Sequence, residues 1–123
     1  RLGDYLQFPE FYICTFDYYK KAIASLLKVC PGATFFVFSD SPDIVAQNIV
    51  IPNSFFIPSD YNDQESLYLG TLCRHHIISN SSFSWWMQYL AYREGQIVFA
   101  PSRWMNDGNY TAIYQKHWRL IDV

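Results

Sequence analysis

Cys73-Arg-His-His-Ile-Ile-Ser-Asn-Ser-Ser-Phe-Ser-Trp-Trp-Met-Gln-Tyr-Leu90 is the stretch on which the fold turns. Ile77 and Ile78 form a short apolar run, too brief for a helix and bounded by polar residues, as in a buried strand. Residues 79–82 are small and polar and predict a turn. From Phe83 the chain is aromatic and apolar, and a helix is expected to about Tyr92, where Glu94-Gly95 stops it. A strand that feeds a helix through small hydroxyl and amide residues presents backbone N–H groups to an anion.

The same alternation extends in both directions. Tyr19, Ala22, Ile23, Leu26, Leu27 and Cys30 recur at helical spacing, with Lys20, Lys21, Ser25 and Lys28 on the other side. This predicts a helix over 16–29, capped by Thr15 and ended by Pro31-Gly32. Residues 34–39 form an apolar run between turn residues, the pattern of a strand buried on both faces. Asp40 follows, and residues 39–43 can cap a short helix reaching Gln47. A strand is expected at 49–51 and a loop at 53–63. Asn62 and Glu65 have capping-box spacing and open a helix over 64–72, with Leu69 and Leu72 facing inward. A strand at 96–100 is closed by Pro101, residues 102–117 look irregular, and 118–123 makes a last strand or a tail. Strands alternating with helices imply α/β architecture with a mostly parallel sheet.

With 123 residues there is room for one domain, spanning 1–123, which buries roughly two-thirds of its unfolded surface. Half the residues are hydrophobic and a fifth aromatic, which excludes a disordered chain. A net charge of −2 argues against a nucleic-acid binder, which needs a basic stripe. Cys14, Cys30 and Cys73 are too few and too scattered for a disulfide framework or a C-x-x-C metal site, so buried thiols are expected. Adjacent His75 and His76 point to opposite faces of a strand and cannot share one metal ion, with His117 remote. Neither a signal segment nor a run of about 18 apolar residues is present. Arg1 in first position reads as a fragment or processed end, so an anchor upstream stays possible.

Candidate chemistry lies in a few places. Arg1, Gly3 and Asp4 put a cation, a glycine and a carboxylate together, and arginine is the preferred fork for phosphate oxygens. Asp40 ends a buried strand, where open α/β sheets bind ligands, or simply caps the next helix. Ser81, Ser82 and Ser84 suit hydrogen bonding to phosphate or sugar rather than nucleophilic attack, because no base is placed beside them. Trp85 and Trp86 read as core packing. Asn80 and Asn109 head formal glycosylation sequons, of which only Asn109 lies outside a tight turn.

The motif at 77–86, preceded by Cys73-Arg-His-His and followed by Tyr89-Leu90, resembles the signature of the alpha-1,2-fucosyltransferases, glycosyltransferase family eleven. Arg1-Leu-Gly-Asp-Tyr5 resembles the end of that family's H-x-R-x-G-D-Y motif. Tyr19-Lys-Lys-Ala22, Phe36-Val-Phe-Ser-Asp40, Glu65, Ala100-Pro-Ser-Arg-Trp104 and Trp118 follow in the family's order. The resemblance implies a Rossmann-like, mostly parallel sheet with flanking helices, the donor-binding lobe of a GT-B type glycosyltransferase whose amino-terminal lobe lies outside this chain. It implies transfer of L-fucose from GDP-fucose to the 2-hydroxyl of a galactoside, inverting and without a metal or other cofactor. The partners implied are GDP-fucose and a galactose-terminated glycan, with no nucleic acid. The setting would be the lumenal side of the Golgi membrane in a eukaryote, or cytoplasmic or membrane-associated in a bacterium.

By position, Arg1 corresponds to the arginine that grips the donor pyrophosphate, and Asp4 to a residue that orients it or serves as base. Asp40 and Glu65 fall where related enzymes carry acidic residues near the donor, and Glu65 is the choice for reading guanine. Asn80, Ser81, Ser82 and Phe83 would hold the phosphates with the start of the helix. Leu2 stands where the family's second arginine is common. Met87-Gln88 stands where Gly-Ala is usual, an exchange expected to alter a helix surface. A piece of this kind is expected to be inactive, or nearly so, alone. The alternative is a non-catalytic nucleotide-sugar or glycan-binding module derived from the same lobe. A flavodoxin-like domain shares the α/β pattern but does not account for Ser-Ser-Phe-Ser-Trp-Trp.

Overall fold

The computed structural model describes residues 8–108 and 110–123. Arg1, Asp4 and Asn109 therefore lie outside the described residues. Helix α1 spans Phe16–Val29, with the Thr15 hydroxyl accepting the Tyr18 N–H at 3.4 Å. Strand β1 (Phe35–Val37) leads through α2 (Pro42–Asn48) to β2 (Ser54–Phe56). Next come α3 (Asp63–Thr71), β3 (His76–Ile77), α4 (Ser82–Leu90), β4 (Val98–Pro101), a 3-10 turn at Thr111–Ile113 and β5 (Trp118–Ile121).

All strand pairs are parallel, in two groups: β1 with β2, and β3 with β4 and β5. The alternating faces of the strands decide which helix covers them. Phe35, Val37, Ile77 and Phe99 meet Ala22, Ile23 and Leu26 of α1 and Val45 and Ile49 from α2 and its end. On the opposite face Ile78, Val98, Ala100 and Trp118 pack with Trp104 and with Trp85 of α4. Helices on both faces of a parallel sheet are the doubly wound α/β arrangement. Tyr18 joins the layers: its hydroxyl donates to the Ile78 carbonyl at 2.5 Å, beside the Phe99 carbonyl at 3.3 Å.

Several expectations are corrected. The second strand lies at Ser54–Phe56, inside the expected loop, whereas Ile49 caps α2 and is buried against it. An apolar triplet is therefore not a sufficient strand signal when its first residue serves a preceding helix. β1 is not buried on both faces, because Phe36 is half exposed and stacks on Phe55 at 6.0 Å. Leu72 points outward. Trp86 is half exposed, while Trp85 packs on the core and its indole N–H donates to the Ile113 carbonyl at 2.9 Å.

Met87 and Gln88 are buried and do not modify a helix surface. Met87 lies against Gly70, where a Cβ would overlap its thioether, so α3 and α4 approach closely there. Gln88 sits in a buried chain of polar contacts. The Trp118 indole N–H donates to Gln88 Oε1 at 2.7 Å, and Gln88 Nε2 reaches Gln96 Oε1 at 3.5 Å. Gln96 Nε2 meets His76 Nδ1 at 3.2 Å, and His76 Nε2 meets the Gly70 carbonyl at 3.0 Å. An amide donor on Nδ1 sets the His76 proton on Nε2, so the chain of donors runs one way from β5 to α3.

This arrangement requires neutral His76. Burial lowers its pKa, partly opposed by the Gly70 carbonyl. His75 and His117 shift the same way, mainly through burial. An imidazole with its folded pKa lowered contributes its full stability above the ordinary value near 6.5. As pH falls below that value, the unfolded chain takes up protons that the folded chain refuses. The melting temperature should therefore fall between pH 7.5 and pH 5.5, and His76→Gln should shrink that fall. A pH-independent melting temperature across this interval would contradict the assignment.

The capping box at α3 is present as expected. Asn62 Oδ1 accepts the Glu65 N–H at 2.8 Å and Glu65 Oε2 accepts the Asn62 N–H at 2.9 Å. Asn62→Ala should cost about 1 kcal/mol in urea unfolding. An unchanged midpoint would mean that the box adds nothing to the fold.

Candidate functional site

Between β1 and β3 lies a cavity of about 900 Å³. It sits where the sheet changes direction, with β2 beyond β1 on one side and β4 and β5 beyond β3 on the other. Open α/β sheets bind ligands at such a switch point, outside the carboxyl ends of the strands. Here that end is lined by Ser39 and Asp40 after β1, by Pro58, Ser59 and Tyr61 after β2, and by Ile78, Phe83 and Ser84 after β3. The cavity also runs back along the strands to Ala33 before β1 and to Arg74 before β3, so the rim holds only part of its volume.

The turn after β3 is stiff. Asn80 is buried, and its Nδ2 donates to the Phe11 carbonyl at 2.9 Å and to the Trp104 carbonyl at 3.0 Å. One amide thus ties the segment before α1, the turn and the loop after β4. The Ser79 and Ser84 hydroxyls meet at 3.0 Å across the turn. Ser81, the N-cap of α4, donates its N–H to the Ser79 carbonyl at 2.8 Å, but its side chain makes no capping bond. The first turn of α4 carries its positive dipole end to the cavity rim, where Phe83 and Ser84 lie.

Tyr19 of α1 lines the same cavity as Asp40, and its hydroxyl hydrogen-bonds the Ser79 side chain. Burial raises its phenol well above the ordinary range, and the neighbouring Cys14 and Asp40 add to that. It stays a neutral hydrogen-bonding group at any physiological pH. Cys14 is buried and pushed up to about 12 by desolvation, which keeps it a thiol and removes it as a nucleophile. Cys30 and Cys73 are also free, so the three cysteines form no disulfide. His75 and His76 diverge as expected, His75 Nδ1 accepting the Ile97 N–H at 3.0 Å.

Of the residues selected from sequence, Asp40 and Phe83 come together on the cavity wall. Ser81 is buried at the helix start and Ser82 is exposed there, and neither side chain lines the cavity. Asn80 spends its amide donors on the fold. Glu65 is exposed on α3, off the cavity wall, with its carboxylate engaged in the capping box. Arg1 and Asp4 fall outside the described residues. Ser59 and Tyr61 carry no sequence signal while the second strand is expected at 49–51, because only a strand at Ser54–Phe56 puts them after a carboxyl end. Ser79 and Tyr19 carried no signal beyond a turn residue and a helix aromatic.

Among the described residues no helix is long and apolar enough to cross a membrane. The family model of Glycosyl transferase family 11 matches residues 1–122. The chain is 28% identical over 125 residues to the O-antigen biosynthesis glycosyltransferase WbnK of Escherichia coli, covering 96% of this chain and 41% of that protein. It is 35% identical over 115 residues to an alpha-1,2-colitosyltransferase of Escherichia coli, covering 85% of this chain and 39% of that protein. The chain thus spans about two-fifths of the length of these relatives. No solved structure matches it.

Proposed function

Starting from the fact that the chain belongs to glycosyl transferase family 11, we propose that it is the donor-binding part of a GDP-sugar transferase of GT-B type. The reaction proposed is transfer of L-fucose from GDP-fucose to the 2-hydroxyl of a galactoside, with inversion. The observation that carries this reading is the cavity at the sheet's switch point, with Asp40 on one wall and the start of α4 on the other.

The chemistry asks for little more. As the bond from the sugar to the β-phosphate lengthens, negative charge builds on the departing phosphate. The dipole of α4 and the Phe83 and Ser84 end of the cavity favour that charge from one side. A guanidinium at Arg1, the proposed pyrophosphate ligand, would meet it bidentately from the other and take the place a metal ion fills elsewhere. Asp4 is proposed to orient that loop or to accept the acceptor's proton. A carboxylate can accept both the N1–H and the exocyclic amine of guanine. Asp40 stands in the wall for that task, whereas Glu65 could reach a base only by opening its capping box.

The donor sugar has two candidates, because one relative is by name a colitosyltransferase. Assaying the full-length polypeptide with GDP-fucose and GDP-colitose against a galactoside decides between them. For the chain itself, calorimetry with GDP is the test, on wild type and on Arg1→Ala. Binding that weakens at least tenfold in the variant supports the reading. A folded chain that binds GDP in neither form removes it.

A further inference from the structure

The end of the sheet opposite the rim has a composition of its own. With the strands parallel, α1 to α4 all end there. Each of these ends exposes an apolar side chain. Val29 closes α1 and is half exposed, and Val50, just past α2, is 93% exposed. Leu72 and Leu90, at the ends of α3 and α4, are more than half exposed. None of the four belongs to the apolar clusters that fill the two faces of the sheet.

Cations stand beside these tips. Lys28 precedes Val29, Arg74 and Arg93 follow Leu72 and Leu90 within three residues, and Lys116 leads into β5. Arg74 and Arg93 are close enough to join burial in lowering the pKa of His75, just before β3. Arg93 is held in place by the Thr71 carbonyl, to which its guanidinium donates at 2.9 Å. Glu94 is the one acid at this end among the described residues. The others precede or open a helix, or follow a strand, and so lie toward the carboxyl end. A whole-chain charge of −2 thus conceals a basic amino end.

We propose that the amino end of the sheet docks on an anionic lipid surface, with the valine and leucine tips in the headgroup layer and the four cations on lipid phosphates. Helix dipoles account for cations at helix ends but not for exposed valine and leucine there. A bilayer surface takes up both. Its negative potential attracts the long basic side chains, whose alkyl stems lie along the same apolar layer that receives the tips. The tips stand on four separate helix ends rather than along one element, which suits a fluid layer better than the fitted core of a protein interface. Docked in this way, the sheet leaves its carboxyl-end rim facing water.

The test is co-sedimentation of the full-length polypeptide with vesicles, without nucleotide, so that its outcome is separate from that of donor binding. Phosphatidylcholine vesicles are compared with vesicles holding about one-quarter phosphatidylglycerol, at about 0.1 M salt. Binding is expected to the anionic vesicles alone, and it should fall at about 0.5 M salt. Lys28→Glu with Lys116→Glu should weaken it about tenfold or more. Lys20→Glu with Arg103→Glu makes the same charge change nearer the carboxyl end and should leave binding within about twofold. Val50→Ser with Leu90→Ser should weaken it about fivefold. All six side chains are exposed, so the fold should be kept, which far-UV circular dichroism checks. Three results would overturn the proposal: no binding to anionic vesicles, equal losses in the two charge-reversed pairs, or self-association of the polypeptide that the serine pair dissolves.

Discussion

Replacing Asn80 by leucine should lower the unfolding free energy by about 3 kcal/mol, with little change in volume. The amide donates to two carbonyls from separate parts of the chain, and the Trp104 carbonyl is buried. Each lost bond removes about 1 kcal/mol net, and a buried acceptor left without its donor costs a further 1–3 kcal/mol. Against a typical total of 5–15 kcal/mol this is a large share. Ser82→Ala, exposed two residues on, should stay within about 0.5 kcal/mol of wild type. Urea unfolding of the two variants measures both. A loss under 1 kcal/mol for Asn80→Leu would mean that the turn after β3 is held by something else. Asn80 thereby fixes where α4 begins at the cavity rim.

The second large effect is proposed for catalysis. Arg1→Ala in the full-length transferase should lower kcat about 10²–10³-fold, the usual cost of removing one preorganised group that stabilises developing charge. On this proposal the leaving-group charge falls on fewer cations here, since Leu2 stands where the family resemblance places a second arginine. Arg1→Lys should recover little, because an ammonium does not reproduce the planar fork that matches two phosphate oxygens. The check is kcat and KM for GDP-fucose in both variants. A kcat within tenfold of wild type for Arg1→Ala would show that the charge is met elsewhere.

The parts of the fold readable in the sequence were those with a local physical cause. α1 is legible because its apolar stripe, the Thr15 cap and Pro31-Gly32 all act within a few residues. The Asn62 and Glu65 capping box was legible for the same reason. β2 was not, because Ile49 is apolar on account of α2 packing and Phe55 is exposed despite its type. Gln88 was misread as surface, since its burial depends on Trp118, Gln96 and His76, which are distant in sequence.

The site divided along the same line. Asp40 and Phe83 sit on the cavity wall because strand ends locate themselves once the strands are known. The amide donors of Asn80 hold two backbone carbonyls, which the sequence does not show, since a polar residue in a turn looks alike whether it binds ligand or backbone. Glu65 was matched by resemblance, and the structure shows its carboxylate at work in a helix cap. Ser59 and Tyr61 became visible only with the correct second strand.

The carboxyl-end rim of the cavity between β1 and β3 is proposed to receive the diphosphate of a GDP-sugar. Titrating the ¹⁵N-labelled chain with GDP and following its amide resonances tests this directly. Saturable shifts centred on Asp40, Phe83 and Ser84 are expected, with the amides of β5 unmoved. A folded chain whose shifts are absent, or centred away from that rim, would contradict it.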